Sequence, residues 1–235
     1  MTPLSFSITL VLMLLTINAF GLLYSLIVIY TPWFTRYKIQ PKPYPKDIFF
    51  KRMPLYGLNF TILLTFAGLG GYAIHPYISH EMPPVPLLAI QVLIAFVFDD
   101  VFFYFYHRWL HVNKTMLGKV HFIHHRANPP FPLEYLYNHP LEWMLGMIGA
   151  VFGCVVAGLI FPLSTFTIIC FGAIRNLHEI HIHSDLNLPL ISKIPLISKT
   201  KHHDDHHSML DGNYASTFVW WDKLFKTELK NDSKN

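Results

Sequence analysis

Residues 4–30 run without one charged side chain, and a helix of about 20 apolar residues already crosses the roughly 30 Å of hydrocarbon in a bilayer. Further apolar runs lie at about 56–74, 84–106 and 143–174. The last is longer than one ordinary span and is divided by Pro162, so two spans or a re-entrant hairpin both fit it. Hydrophobic residues make up 52% of the chain and charged residues only 14%, too few for a soluble domain of this length. These runs predict an all-α integral membrane protein. It should have about four transmembrane helices, or three plus a hairpin, with a cytoplasmic, helical, histidine-rich metal-binding cap. Its 235 residues form one domain, with anchoring spans in 1–95 and a chemically active region in 96–228.

Charge sets the orientation. The first run lacks a basic leader and a small-residue cleavage site, so it reads as an uncleaved anchor. Residues 36–52 carry Arg36, Lys38, Lys42, Lys46, Lys51 and Arg52 around three prolines, whereas residues 75–82 have no Lys or Arg. The positive-inside rule therefore puts the basic connector in the cytoplasm and the short link on the far side. The formal charge of +4 is small and dispersed, which argues against nucleic acid as a partner. Cys154 and Cys170 both sit in apolar stretches without CxxC spacing, so no disulfide framework is expected. Asp99 and Asp100 fall inside the third run, where a charge is costly unless it is paired or functional.

Thirteen of the fifteen histidines lie between His107 and His207. They form three boxes: His107 and His111; His121, His124 and His125; His203, His206 and His207. On a helix, residues at i, i+3 and i+4 share a face. Neutral imidazole is a ligand for iron, zinc, copper or nickel. Eight such rings exceed what one tetrahedral ion accepts, so the count argues for two metals. His178-Glu179 does not open an HExxH, and neither GxGxxG, a P-loop nor GxSxG is present. The chain thus carries no recognisable zinc-protease, nicotinamide, flavin or lipase signature.

The three boxes in this order, with Tyr137-Asn-His139-Pro140-Leu141-Glu142, Ile182-His183-Ser184 and the closing stretch Gly212-Asn-Tyr-Ala-Ser-Thr-Phe-Val-Trp-Trp-Asp222-Lys-Leu-Phe225, resemble the fatty acid hydroxylase and sterol desaturase superfamily. Within it the chain is most similar to the C4-methylsterol monooxygenase branch. The resemblance implies a membrane-bound, non-haem di-iron oxygenase that uses dioxygen to oxidise a C–H bond of a sterol or related lipid. As metal ligands it implies the eight box histidines, together with His183 and His139. His178, His181 and His202 have weaker claims. Asp100, Glu142 and Asp205 are neighbouring carboxylates expected to orient liganding rings, with Asp100 and Asp205 as the candidate catalytic carboxylates. Electrons must come from an external donor, such as a cytochrome b5-like or ferredoxin-like protein, because the chain has no nicotinamide site of its own. The expected location is the endoplasmic reticulum or a bacterial inner membrane, with the boxes facing the cytoplasm. Two departures stand out. The family's Gly-Tyr-Asp after His183-Ser184 is replaced by Asp185-Leu-Asn, and the usual glycine after Phe225 is Lys226.

Two other readings compete. A lipid desaturase would share the same site. A membrane metal transporter or metal-binding protein would place its ligands near mid-membrane, whereas these histidines follow the spans.

The topology has a direct test. Asn59-Phe-Thr61, Asn113-Lys-Thr115 and Asn231-Asp-Ser233 match the glycosylation acceptor pattern. None should be modified when the protein is made in a eukaryotic membrane. A glycosidase-sensitive mobility shift traced to Asn113 would put the second box in the lumen.

Overall fold

The computed structural model describes residues 1–189 and 193–229, so Asn231 lies outside the described residues. Five long helices run back and forth between two ends of a bundle: α1 (Pro3–Tyr30), α2 (Ile48–Ile74), α3 (Val85–Val112), α6 (Pro140–Ile160) and α7 (Thr165–Ile182). Short helices α4 (Lys114–Met116), α5 (Phe122–His125), α8 (Thr200–Met209) and α9 (Trp220–Leu224) gather at one end. Among the described residues there is no strand, only three isolated bridges. The helix starts are written locally. Thr2 caps α1 in a reciprocal pair with Ser5, with Pro3 in the first turn. His139 precedes Pro140 at the start of α6, and the Ser164 side chain accepts from Thr167 N at the start of α7.

Four helices (α1, α2 with its 3₁₀ extension to Tyr77, α3 and α6) are long and apolar enough to cross a membrane. The long apolar stretch from 143 resolves into α6 and α7, which break at Phe161 to Ser164 around Pro162. The bundle is apolar outside and buries polar side chains among its apolar core residues. Leu4, Leu12, Leu23, Leu69, Leu93 and Leu159 are exposed, whereas Ser7, Asn18, Ser25, Asn59 and Gln91 are buried. That inversion suits lipid as solvent, because hydrogen bonds and small residues hold helices together where the hydrophobic effect cannot.

The distal end is tied by His75 Nε2 to Met1 O (2.9 Å) and by the pairing of Ser79 with the Leu163–Thr165 turn. All remaining connections meet at the opposite end. The segment around the 3₁₀ turn Pro132–Leu136 is buried against α1, α2 and α7. Its apolar side chains Phe131, Leu133, Tyr135 and Leu136 join the core. Its backbone finds partners in Ser25 Oγ, which accepts from Leu133 N (3.0 Å), and in Asn59 Nδ2, which donates to Leu136 O (2.8 Å). Glu134 is buried between Arg52 (2.5 Å) and Tyr56 OH (2.7 Å). Irregular backbone is tolerated at such depth only with its polar groups satisfied by protein. The buried Asn59 is therefore closed to glycosylation on steric grounds, which leaves Asn113 as the informative acceptor.

α3 packs most extensively on α6. At the crossing, a Cβ added at Gly153 would stand 2.1 Å from Ala95 O, so the two backbones touch. Since α3 carries the first histidine box and α6 carries Glu142, this contact sets the register between them. Replacing Gly153 with Ala should cost about 1–3 kcal/mol, the usual range for overpacking. Thermal unfolding in detergent would read it, and an unchanged transition with unchanged metal retention would refute the role of this crossing.

Candidate metal centre

One stripe of α3, Asp100, Tyr104, His107 and His111, is buried throughout. Next, Asn113 caps α4 by accepting from Thr115 N and Met116 N, and a π turn over Leu117–His121 leads into α5. α8 brings the third box, and the end of α7 brings His183.

Nine histidines converge in two groups. His107, His111, His121, His125 and His206 form the first; His124, His183, His203 and His207 form the second, all of them buried. Within each group the ligand atoms lie within 4.8 Å of one another. Helix geometry explains the partition. On one face, i and i+4 differ by about 40° of rotation, whereas i+3 lies about 100° from i+4. Hence His121 and His125 serve the first group while His124 turns to the second, and His203 and His207 serve the second while His206 turns to the first. Two helices with the same spacing thus each straddle both groups.

The tautomers are set from outside. The Nδ1–H of His107 donates to Tyr214 O (2.7 Å), that of His183 to Glu179 O (2.8 Å), that of His206 to Gly212 O (2.8 Å) and that of His124 to Tyr137 O (3.2 Å). His121 Nδ1 donates to Glu142 Oε1 (2.8 Å). The Nε2 lone pairs of these rings therefore face inward. Nε2–Nε2 separations are 2.8 Å for His111–His121, 3.0 Å for His121–His125 and 3.1 Å for His107–His121. In the second group they are 2.9 Å for His183–His203, 3.1 Å for His203–His207 and 3.4 Å for His124–His183. Where both rings are held through Nδ1, as in His107–His121 and His124–His183, two lone pairs face each other and repel unless a cation sits between them. Nitrogens about 2.1 Å from one ion lie about 3.0 Å apart at right angles and about 3.4 Å apart at the tetrahedral angle. The donor set therefore fits a metal ion in each group.

Protonation is disfavoured as well. Burial, reinforced by neighbouring rings, lowers His121, His203, His206 and His207 well below the ordinary histidine value. Burial likewise pushes His124 down to about 3 and His183 down to about 4. Neutral rings are the form that binds metal.

Three expected site residues fall outside the groups. His139 sits at the start of α6 with Nδ1 accepting from Leu141 N (3.1 Å), which makes it a helix cap. Asp100 receives Thr217 N and Phe218 N (both 2.8 Å) on its two oxygens. It shares the face of His107 but stands two turns away, about 10 Å along α3, so it anchors the closing loop rather than a ring. Asp205 points away from His203 on α8 and is ion-paired with Lys201. Of the three expected orienting carboxylates, only Glu142 touches a box histidine among the described residues. His178, His181 and His202 bond Ser216 O, Thr200 Oγ1 and Asp222 Oδ2 instead. Asp99 is paired with Arg175 (2.6 Å).

Sequence reasoning missed the closing loop as an orienting element. The buried Asp222 accepts from Tyr214 N (2.8 Å), Ala215 N (3.0 Å) and Thr227 Oγ1 (2.7 Å). The loop held in this way presents the Tyr214 and Gly212 carbonyls to His107 and His206. The signal available was the density of Asn, Gly, Ser and Asp in Gly212 to Asp222. A cavity leads away from the histidines along α6 and α7, lined by Phe103, Trp143, Met147, Arg175 and Glu179.

Comparison with known proteins gives a consistent family. The fatty acid hydroxylase family model matches residues 92–227, the stretch containing all three boxes. Methylsterol monooxygenase 1 of Danio rerio is 33% identical over 208 residues, covering 85% of this chain and 69% of the relative. The C-4 methylsterol oxidase erg25 of Schizosaccharomyces pombe is 30% identical over 213 residues, covering 84% and 68%. The very-long-chain aldehyde decarbonylase GL1-8 of Oryza sativa subsp. indica is 34% identical over 209 residues, covering 83% and 74%. No solved structure matches the chain. A membrane bundle, two buried histidine groups and these relatives make the chain a member of the fatty acid hydroxylase family, in its methylsterol monooxygenase branch, and an oxidoreductase of membrane lipids.

Proposed function

We propose that the protein is a di-iron monooxygenase that oxidises a C–H bond, preferably a methyl group, of a sterol or closely related lipid. The observation carrying this reading is the inward convergence of nine neutral imidazoles in groups of five and four, beside a cavity that continues along the membrane helices. His107, His111, His121, His125 and His206 would hold one iron; His124, His183, His203 and His207 would hold the other. Irons held there would supply the activation of dioxygen needed to oxidise the substrate carbon.

The chain does the rest. Glu142 fixes the His121 ring, and the Gly212–Phe218 loop, braced by Asp100 and Asp222, fixes His107 and His206. Second contacts of this kind hold ring orientation and raise ligand basicity. Trp143, Met147 and Phe103 exclude water and cradle an apolar skeleton. Electrons would arrive from a small external redox protein docking at the histidine-bearing end, whose connector carries Lys38, Lys42, Lys46 and Lys51. That basic end faces the cytoplasm, in the endoplasmic reticulum or a bacterial inner membrane. The whole chain works as one domain, its anchoring spans and histidine region sharing a core. A desaturase would use the same residues, and oxygen incorporation into the product separates the two.

Anaerobically purified protein should contain about two irons per chain, the content of a two-metal site, by elemental analysis. One tightly held zinc with no oxygen-dependent turnover of a methylsterol would refute the proposal. Because the two groups are distinct, His124→Ala and His206→Ala should each lower metal content from about two to about one per chain, since each removes a ligand from a different site. Both should abolish oxidation while membrane insertion persists. Retention of both metals and of near-normal turnover in either variant would remove that histidine from the ligand set.

A further inference from the structure

Arg52 ends the basic connector in sequence, yet only 7% of it is exposed. It stands in the second turn of α2. A guanidinium taken out of water is costly unless it is paired and hydrogen-bonded. Its partners all lie on one stretch, the link from Arg126 to Tyr137 between the second histidine box and α6. Nη2 donates to Arg126 O (2.7 Å). Nη1 stands 2.5 Å from Glu134 Oε1. Cζ lies over the Tyr137 ring, 4.4 Å from its centroid. Tyr56, one turn along α2, donates to the same Glu134 oxygen (2.7 Å) and meets the Tyr137 ring edge-on (6.0 Å). Glu134 O in turn accepts from Tyr137 N (2.8 Å).

Both ends of that link bear on one ring. Arg126 closes α5, two residues after His124. Tyr137 O accepts from His124 Nδ1 (3.2 Å). α5 is only four residues long, so a single turn of helix is all that holds His124 from its own side. The bond to Tyr137 is also the longest of the five that fix rings through Nδ1. The direction of the His124 ring therefore depends on how firmly Tyr137 is kept in place. A lysine at 52 could match the charge of Glu134. It could not fork to two acceptors while laying a flat face on the Tyr137 ring.

We propose that Arg52 is a positioning residue for the second histidine group: by clamping Arg126 and Tyr137 together it aims His124 Nε2, and so sets the affinity of that group for its metal. The first group is braced from elsewhere, His121 by Glu142 and His107 and His206 by the closing loop. A side chain on a membrane helix thus tunes one of the two sites and not the other. This rests on the two-metal part of the reading above and not on the lipid that is oxidised.

The experiment titrates the full chain in lipid nanodiscs with ferrous iron, anaerobically and against a competing chelator, so that each group gives its own affinity. Arg52→Lys, and Arg52→Met combined with Glu134→Gln, are compared with the native protein. The double variant strands no charge and keeps an acceptor for Tyr56, so it should fold. Both variants should bind one iron about 10–100-fold more weakly, the usual effect of losing a contact behind a ligand, and the other unchanged. Crossing them with His206→Ala and His124→Ala assigns the loss. With His206→Ala, which leaves the second group intact, the weakening should persist; with His124→Ala it should vanish. Equal weakening of both groups, or of neither, overturns the proposal. Native affinity in Arg52→Lys overturns it too, since charge alone would then suffice. So does a double variant that misses the native unfolding transition, because Arg52 would then be a folding residue. Turnover of a methylsterol is measured separately. Selective weakening in a protein that oxidises no lipid would keep the role of Arg52 and refute the monooxygenase reading. Native turnover with undisturbed iron binding in the variants would do the reverse.

Discussion

Nine buried imidazoles crowd their Nε2 atoms together, and five of them, fixed by Nδ1–H donation, must turn a lone pair inward. In His107–His121 and His124–His183 two such lone pairs face each other at 3.1 and 3.4 Å, out of reach of water. A desolvated acceptor without a donor costs about 1–3 kcal/mol, so the arrangement is held against its own electrostatics until a cation joins it. The remainder of the protein supplies that restraint. Carbonyls of Tyr137, Glu179, Gly212 and Tyr214 and the carboxylate of Glu142 hold five rings by the opposite nitrogen. The two HxxHH boxes distribute their rings by helix rotation alone, so two short helices suffice to assemble most of two sites.

Restraint of this kind needs a rigid base, and the membrane bundle provides it by burying polar side chains among the apolar ones of its core. Asn18, Ser25 and Asn59 on α1 and α2 receive the Pro132–Leu136 turn, which fills the space beneath the second box. Charges at this depth are matched. Arg52 meets Glu134, and Arg175 meets Asp99. Removing one member of such a pair would strand the other in a low-dielectric setting, which costs more than the pair itself contributes. Glu142 and Glu179 both line the cavity beside the histidines.

Much of this was legible in the sequence because it depends on local spacing. Apolar runs marked the spans, and i, i+3, i+4 histidines marked the boxes. His183 came from resemblance rather than spacing, and it does join the second group. The failures are those where proximity in sequence differs from proximity in space. Asp205 lies between two box histidines, but a helix turns it about 200° from His203, toward Lys201. Asp100 shares the face of His107 at the wrong height. His139 neighbours Glu142 in sequence, yet its ring is spent on capping α6. The buried turn at 132–136 was invisible because its partners, Ser25 and Asn59, are more than 70 residues away.

The two departures from the family pattern become intelligible at the level of the backbone. Asp185 and Lys226 stand where glycine is usual, and both adopt left-handed conformations, φ 58° and 56°. A side chain there costs about 1–2 kcal/mol relative to the right-handed region, a penalty glycine escapes. Lys226 is exposed, and nothing in the structure offsets its cost. Asp185 is different. Its Oδ1 accepts from Gln40 N (2.9 Å), and its Oδ2 pairs with Lys38 (3.4 Å). Gln40 then donates to Asp204 Oδ1 (2.6 Å), beside His203 on α8. The connector leaving the first membrane helix is thereby fastened two residues beyond His183 and one residue beyond His203, the two rings closest together in the second group. Glycine at 185 would relax the backbone but release this brace. The strain is thus retained where it tightens the second histidine group, and its physical effect is to make the basic connector part of that group's support rather than a passive link between spans.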